Sequence, residues 1–162
     1  TQSPEEIYCW LAAEDAPDLE PLRALSSAER WDVVAYLWRA NTSAANLELG
    51  RRLYLTNCAV CHGERGDGKG PAAGSASPHE IHGMAETHGP RAPADFTDRR
   101  AAAGASDLVY YGKLVRGGMG TGMPYWGSIF TDGELWALVD YVRSFALGGE
   151  ESSSVPSSEG PP

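Results

Sequence analysis

Apolar positions recur at helical spacing in several stretches of this chain. Leu49, Leu53 and Tyr54 line one face of a helix expected over 45–57. Trp31, Val34 and Trp38 do the same over 30–40, and Leu135, Leu138, Val139, Val142 and Phe145 form one stripe over 133–145. Start signals stand ahead of several stretches. Ser3-Pro4-Glu5-Glu6 combines a capping serine, a first-turn proline and a closing glutamate, which predicts a helix over 7–13. Ser26 with Glu29 and Thr131 with Glu134 are further capping boxes, and Ser106 caps a helix running to about Arg116. Between these lie polar connections. Glu14 to Pro21 is acidic and proline-bearing and reads as a loop, and 41–45 is a short polar linker. Residues 63–90 are rich in Gly, Pro, Ser and His and read as irregular, and Ala94 to Thr97 continues them with Phe96 as an apolar anchor. A long loop without periodicity needs a reason, and wrapping a flat cofactor is one. Gly117 to Gly122 is too glycine-rich for helix or strand, and 148–162 reads as a disordered Ser, Glu, Gly and Pro tail.

Composition narrows the function classes. At 162 residues and 42% hydrophobic, the chain suits one packed domain with attachments. Nothing approaches about eighteen consecutive apolar residues, so no transmembrane helix is expected. No signal peptide is visible at Thr1, so a mature sequence, or one cut from something longer, is expected. The net charge of −9 and pI of about 4.8 disfavour nucleic acid or anionic lipid as a partner and favour a partner with a positive docking face. Much of the acidity sits near the two ends, which leaves the middle of the chain more nearly neutral.

The candidate chemistry lies at Cys58-Ala59-Val60-Cys61-His62, a C-x-x-C-H pattern. Each sulfur can form a thioether to a haem vinyl group, and the next side chain then reaches one face of the iron. Two other chemistries share the two-cysteine spacing. A thioredoxin-like dithiol wants a strand before the motif, whereas 45–57 reads as helix. A zinc site wants a second ligand pair, and the remaining candidates are Cys9, His79, His82 and His88. Covalent haem attachment takes place outside the bacterial cytoplasm, so the motif implies a periplasmic or otherwise extracytoplasmic location.

From about Ala45 to Phe145 the order of motifs resembles a class I monohaem cytochrome c of the bacterial small-cytochrome kind. A helix with Gly50 and Tyr54 leads into Cys58-x-x-Cys61-His62, then Gly70-Pro71, then Gly122-Met123-Pro124-Tyr125-Trp126, and last a helix ending in Tyr141-Val142-Arg143. The resemblance implies an all-α fold of about three to four core helices around one covalent haem c, with the first and last helices crossing at Gly50. It implies His62 as proximal ligand and Met123, in its Met-Pro context, as distal ligand. Met119 in the same loop lacks the following proline and is the second choice. The resemblance gives the carbonyl of Pro71 the task of holding the other nitrogen of His62. Arg116, Tyr125 and Trp126 become candidates for the haem propionates, and Phe96 and Leu114 for packing on the ring. The activity implied is one-electron transfer with no catalytic residue, between a redox donor and acceptor. The chain would act as a free carrier or as a module of a larger assembly such as a membrane oxidoreductase. The rival is a haem enzyme or sensor, peroxidase-like or gas-binding, whose distal methionine leaves through the glycine-rich approach.

Two features stand outside that resemblance. His79, His82, Met84 and His88 lie together in the long loop, as a solvated cover over a haem edge or as ligands for copper. Residues 25–37 also match 130–142, with cap, Glu, Trp, Val and Tyr coinciding, and Ile7-Tyr8 is set over Val109-Tyr110. The first copy has a shorter loop without Met and no C-x-x-C-H before it. The expected division is therefore an extension over 1–44, resembling the second half of a cytochrome c domain and bringing a pair of extra helices. A haem domain over 45–147 and a tail over 148–162 follow. Cys9 is expected as a buried free thiol in the first helix.

Overall fold

The computed structural model describes residues 3–13, 20–73, 92–118 and 121–148. The described elements are α1 (Pro4–Leu11), α2 (Glu20–Arg23), α3 (Ser27–Asn41), α4 (Ala44–Asn57), α5 (Ala59–His62), α6 (Arg99–Ala103), α7 (Asp107–Arg116), a 3-10 turn (Trp126–Ser128) and α8 (Asp132–Leu147). The fold is all-α. Among the described residues the only β pairing is an isolated antiparallel bridge between Gly118 and Met123. No described helix is long and apolar enough to cross a membrane.

The expected capping boxes form at Ser3–Glu6, Ser26–Glu29 and Thr131–Glu134, each reciprocal. They fix where α1, α3 and α8 begin. The first helix starts at Pro4 rather than Ile7, because Ser3 is already the cap. It ends at Leu11, where Ala12 and Ala13 turn back onto the carbonyls of Cys9 and Trp10. The segment read as a loop through Pro21 gives way to the short α2, and α5 and α6 are too short to leave a periodic trace.

α8 is the centre of the molecule. Its buried stripe of Leu135, Leu138, Val139 and Val142 packs with Tyr54 of α4 and Leu114 of α7 in one core cluster. α4 crosses α8 at Gly50. A Cβ on Gly50 would overlap the carbonyl oxygen of Ala137 and lie 2.8 Å from the Cβ of Tyr141, so only glycine permits this approach. Arg143, 1% exposed, is the charged residue in this core, and its donors are used. Nε donates to Asp107 Oδ1 at 2.8 Å and Nη1 to the Ala102 carbonyl at 2.6 Å, while Nη2 donates to the Ala105 carbonyl. The guanidinium also lies 4.6 Å from the centre of the Tyr110 ring. One side chain thereby ties α8 to the end of α6 and the start of α7.

The N-terminal helices dock at the far end of α8. Ala35 and Trp38 of α3 pack on Ala102, Ala146 and Leu147, and Arg39 donates to the Gly148 carbonyl at 2.9 Å. α1 lies on α3 through a stack of Tyr8 on Trp31. Cys9 is exposed, not buried: the face of α1 that holds Leu11 turns inward and Cys9 lies off it.

Candidate haem-attachment site

The C-x-x-C-H motif is folded as a helical turn. Cys58 ends α4 by donating to the Tyr54 carbonyl at 2.8 Å, and its own carbonyl accepts from Cys61 N at 3.1 Å and His62 N at 2.9 Å. Two thiols and an imidazole therefore project from one turn. The turn is held from behind by the buried Tyr54 hydroxyl, which donates to the Gly63 carbonyl at 2.8 Å.

Two segments pack around this turn through backbone hydrogen bonds. Gly70 N donates to the Cys61 carbonyl at 3.1 Å and Ala72 N to the Val60 carbonyl at 2.8 Å, which lays 70–72 along the backbone of the turn. Phe96 N donates to the Gly66 carbonyl at 2.6 Å and brings 94–96 to the imidazole. His62 Nδ1 donates to the Ala94 carbonyl at 3.1 Å, and the His62 ring stacks on Phe96 at 4.7 Å between centres. The expectation for Pro71 is thus corrected. Its segment is spent on the motif's backbone, and the carbonyl facing His62 belongs to Ala94.

That hydrogen bond decides the tautomer. A carbonyl only accepts, so Nδ1 carries the proton and the Nε2 lone pair is free for a metal. Burial lowers the His62 pKa, with the Ala94 carbonyl pulling partly the other way, which favours the neutral ring. Burial pushes the Cys58 thiol up to about 12, the opposite of the activated thiolate a redox dithiol needs. Among the described residues no group of three or more His, Cys, Asp or Glu side chains is placed to hold a metal ion.

The distal candidate comes from the connection between α7 and α8. α7 ends at Gly117, whose φ of +65° suits glycine, and a Cβ there would sit 2.6 Å from both the Met123 and Pro124 carbonyl oxygens. Gly118 N donates to the Met123 carbonyl at 3.2 Å, and Thr121 closes the turn with its N and Oγ1, both 2.9 Å from the Gly118 carbonyl. Met123 is half-buried against the core cluster of Tyr54, Ala59 and Leu114.

The structure brings several expected residues together. Cys58, Phe96, Met123 and Trp126 all pack against the cluster that contains Leu114. Cys61 and His62 share the turn with Cys58. It leaves others apart. Tyr125 is 63% exposed, and Arg116 is exposed with its guanidinium folded back beside Gly112. Met119 and the loop with His79, His82, Met84 and His88 lie outside the described residues. Ala94 and the Tyr54 hydroxyl escaped the sequence reading. Ala94 acts through its carbonyl, which every residue has, whereas a buried tyrosine one helical turn before the motif is a readable signal.

Paired thiols on one turn, an imidazole with Nε2 free, and a thioether on the same core form a donor set that fits a covalently attached haem. The fold and this turn define an all-α haem protein. The chain belongs to the cytochrome c family, whose match spans residues 47–146. Membership carries with it a covalently bound haem c and haem-based electron transfer. Among solved structures, a chain of the Kuenenia stuttgartiensis reducing HAO-like protein complex is similar, with a TM-score of 0.53 and 25% identity. The likeness covers 89% of this chain and 72% of that one. No curated protein is significantly similar to the chain.

Proposed function

We propose that this protein passes single electrons through one haem c, anchored at Cys58 and Cys61 and ligated by His62 and Met123, in the periplasm or a comparable extracytoplasmic space. One observation carries the reading: a neutral imidazole held by the Ala94 carbonyl stacks on Phe96, which packs on the same core cluster as Met123. When bound, the haem supplies a ferric–ferrous couple. The chain's residues set its conditions. His62, oriented by Ala94 and Phe96, would offer Nε2 to the iron. Met123 would offer a soft sulfur, which favours the ferrous state relative to a second histidine. If His62 and Met123 both held the iron there would be no place for substrate, and the work of the protein would be potential, orientation and exclusion of water. Gly118 N holds the Met123 carbonyl and Thr121 closes the turn onto Gly118, and this hold on the Met123 backbone favours a fixed distal residue over the peroxidase-like or gas-binding reading. The donor and acceptor are redox proteins, and likeness to a chain of an HAO-like complex supports a place within a multi-subunit assembly.

Visible spectra test the ligand set. The oxidised protein is expected to show the weak long-wavelength band of ferric haem bound by thioether sulfur. Met123→Ala should abolish it and Met119→Ala should leave it. A band that survives Met123→Ala, or ferrous protein that takes up carbon monoxide at once, sinks the assignment.

A further inference from the structure

Helices α1 and α3 repeat the geometry of α7 and α8. Tyr8 stacks on Trp31 with centres 4.8 Å apart and planes at 21°, and Tyr111 stacks on Trp136 at 4.6 Å and 22°. Each tyrosine hydroxyl then donates to the first residue of the second helix: Tyr8 to Ser27 Oγ at 2.9 Å, and Tyr111 to Asp132 Oδ1 at 2.6 Å. Each second helix opens with a capping box, at Ser26 and at Thr131. The stacks place Tyr8 over Tyr111, one residue from the alignment the sequence suggested. In this register the N-caps Ser3 and Ser106 coincide, as do the buried Leu11 and Leu114. With Ser26 over Thr131, Val34 falls on Val139, and they are 2% and 1% exposed. Two unrelated capped helices would have no reason to share a ring stack, a hydroxyl bond and the buried positions beneath them.

The two copies differ in what covers them. In the second, α4 lies across α8, with Gly50 against Ala137 and the Tyr54 ring 5.3 Å from that of Tyr141. Val142 is buried in the same cluster as Tyr54. The counterparts of Tyr141 and Val142 on α3 are Tyr36 and Leu37, which are 69% and 37% exposed. α3 packs on α1 and on the C-terminal end of α8, and among the described residues no helix lies across this face. The likeness to the solved chain takes in 89% of this one, more than residues 47–162 can supply, so it reaches into the N-terminal helices.

We propose that the bare face of α3 seats the haem-bearing half of a second cytochrome c unit. The occupant is a helix of α4's kind that ends in its own C-x-x-C-H turn and carries its own haem. It belongs to the same polypeptide, ahead of α1 as α4 stands ahead of α7. Its chemistry is set by the seat. It offers an apolar face to Tyr36 and Leu37, and a hydrogen-bond donor to Asp32, which stands exposed where Ala137 lies in the second copy. In the sequence, residues 12–26 stand between the paired helices as the Met123 loop does, and they contain neither Met nor His that could serve as a ligand to that haem.

The test counts haem against polypeptide, by mass, in the full-length native protein. In parallel, hydroxyl-radical labelling of Tyr36 and Leu37 is compared between that protein and the haem-loaded 162-residue chain. The expected result is two covalent haems per native polypeptide, with labelling at Tyr36 and Leu37 lost in the native protein and present in the shorter chain. One haem per polypeptide overturns the proposal, even if the two side chains are protected, because a different partner then covers the face. Two haems with undiminished labelling overturn it as well, because the second haem then sits elsewhere.

Discussion

Replacing Gly50 by alanine sets two helix effects against each other. In an exposed helix interior the exchange gains about 1 kcal/mol of propensity. At Gly50 the new methyl meets backbone, overlapping the Ala137 carbonyl oxygen and lying 2.7 Å from the carbonyl carbon. A carbonyl cannot rotate aside as a side-chain tip can. Relief comes only by moving α4 off α8, which opens the cluster of Tyr54, Leu138 and Val142. Overpacking of this kind costs about 1–3 kcal/mol, and here the upper end applies, which leaves a net loss of about 2 kcal/mol after the propensity gain. With a urea slope of about 2 kcal/mol per molar, the unfolding midpoint of the ferric protein should fall by about 1 M. Gly133→Ala is the control. It lies in the first turn of α8 with nothing within 4 Å of a new Cβ, so the same exchange should be neutral or slightly stabilising. If Gly50→Ala is as stable as the wild type, the helix crossing described here is wrong.

Two further substitutions follow from buried hydrogen bonds. Arg143→Met removes the ion pair to Asp107 and the donors to the Ala102 and Ala105 carbonyls, and should cost about 3 kcal/mol in denaturant unfolding; a loss no larger than that of an exposed arginine such as Arg52 would contradict it. Tyr54→Phe strands the buried Gly63 carbonyl and should cost about 1–3 kcal/mol, with amide exchange quickening at 61–63; unchanged exchange there would show that the hydroxyl does not hold the attachment turn.

What could be read from the sequence was mostly local. The capping boxes depend on residues three apart, so Ser3, Ser26 and Thr131 announce α1, α3 and α8 without knowledge of anything distant. The attachment turn is local too, since five adjacent residues carry it. What was missed depends on the path of the chain. Pro71 and Ala94 both follow the motif, and the choice between them is made by where 70–72 and 94–96 land, through bonds to Cys61, Val60 and Gly66 that have no sequence signature. The exposure of Cys9 depends on which face of α1 meets its neighbours, and Leu11 wins that face. The one-residue shift of Tyr8 against Tyr111 likewise needs the stacked rings to be seen, because adjacent tyrosines at 110 and 111 align equally well as letters.

On the reading proposed above, His62 and Met123 both hold the haem iron of the 162-residue chain, and the chain exchanges electrons without taking a ligand at the iron. Film voltammetry of the haem-loaded chain tests this most directly, with and without carbon monoxide and peroxide. The expected result is a single reversible wave with a one-electron Nernst slope of about 59 mV per tenfold change, unmoved by carbon monoxide and giving no catalytic current with peroxide. A wave displaced by carbon monoxide, or a sustained reductive current on adding peroxide, would contradict it and identify an open iron site.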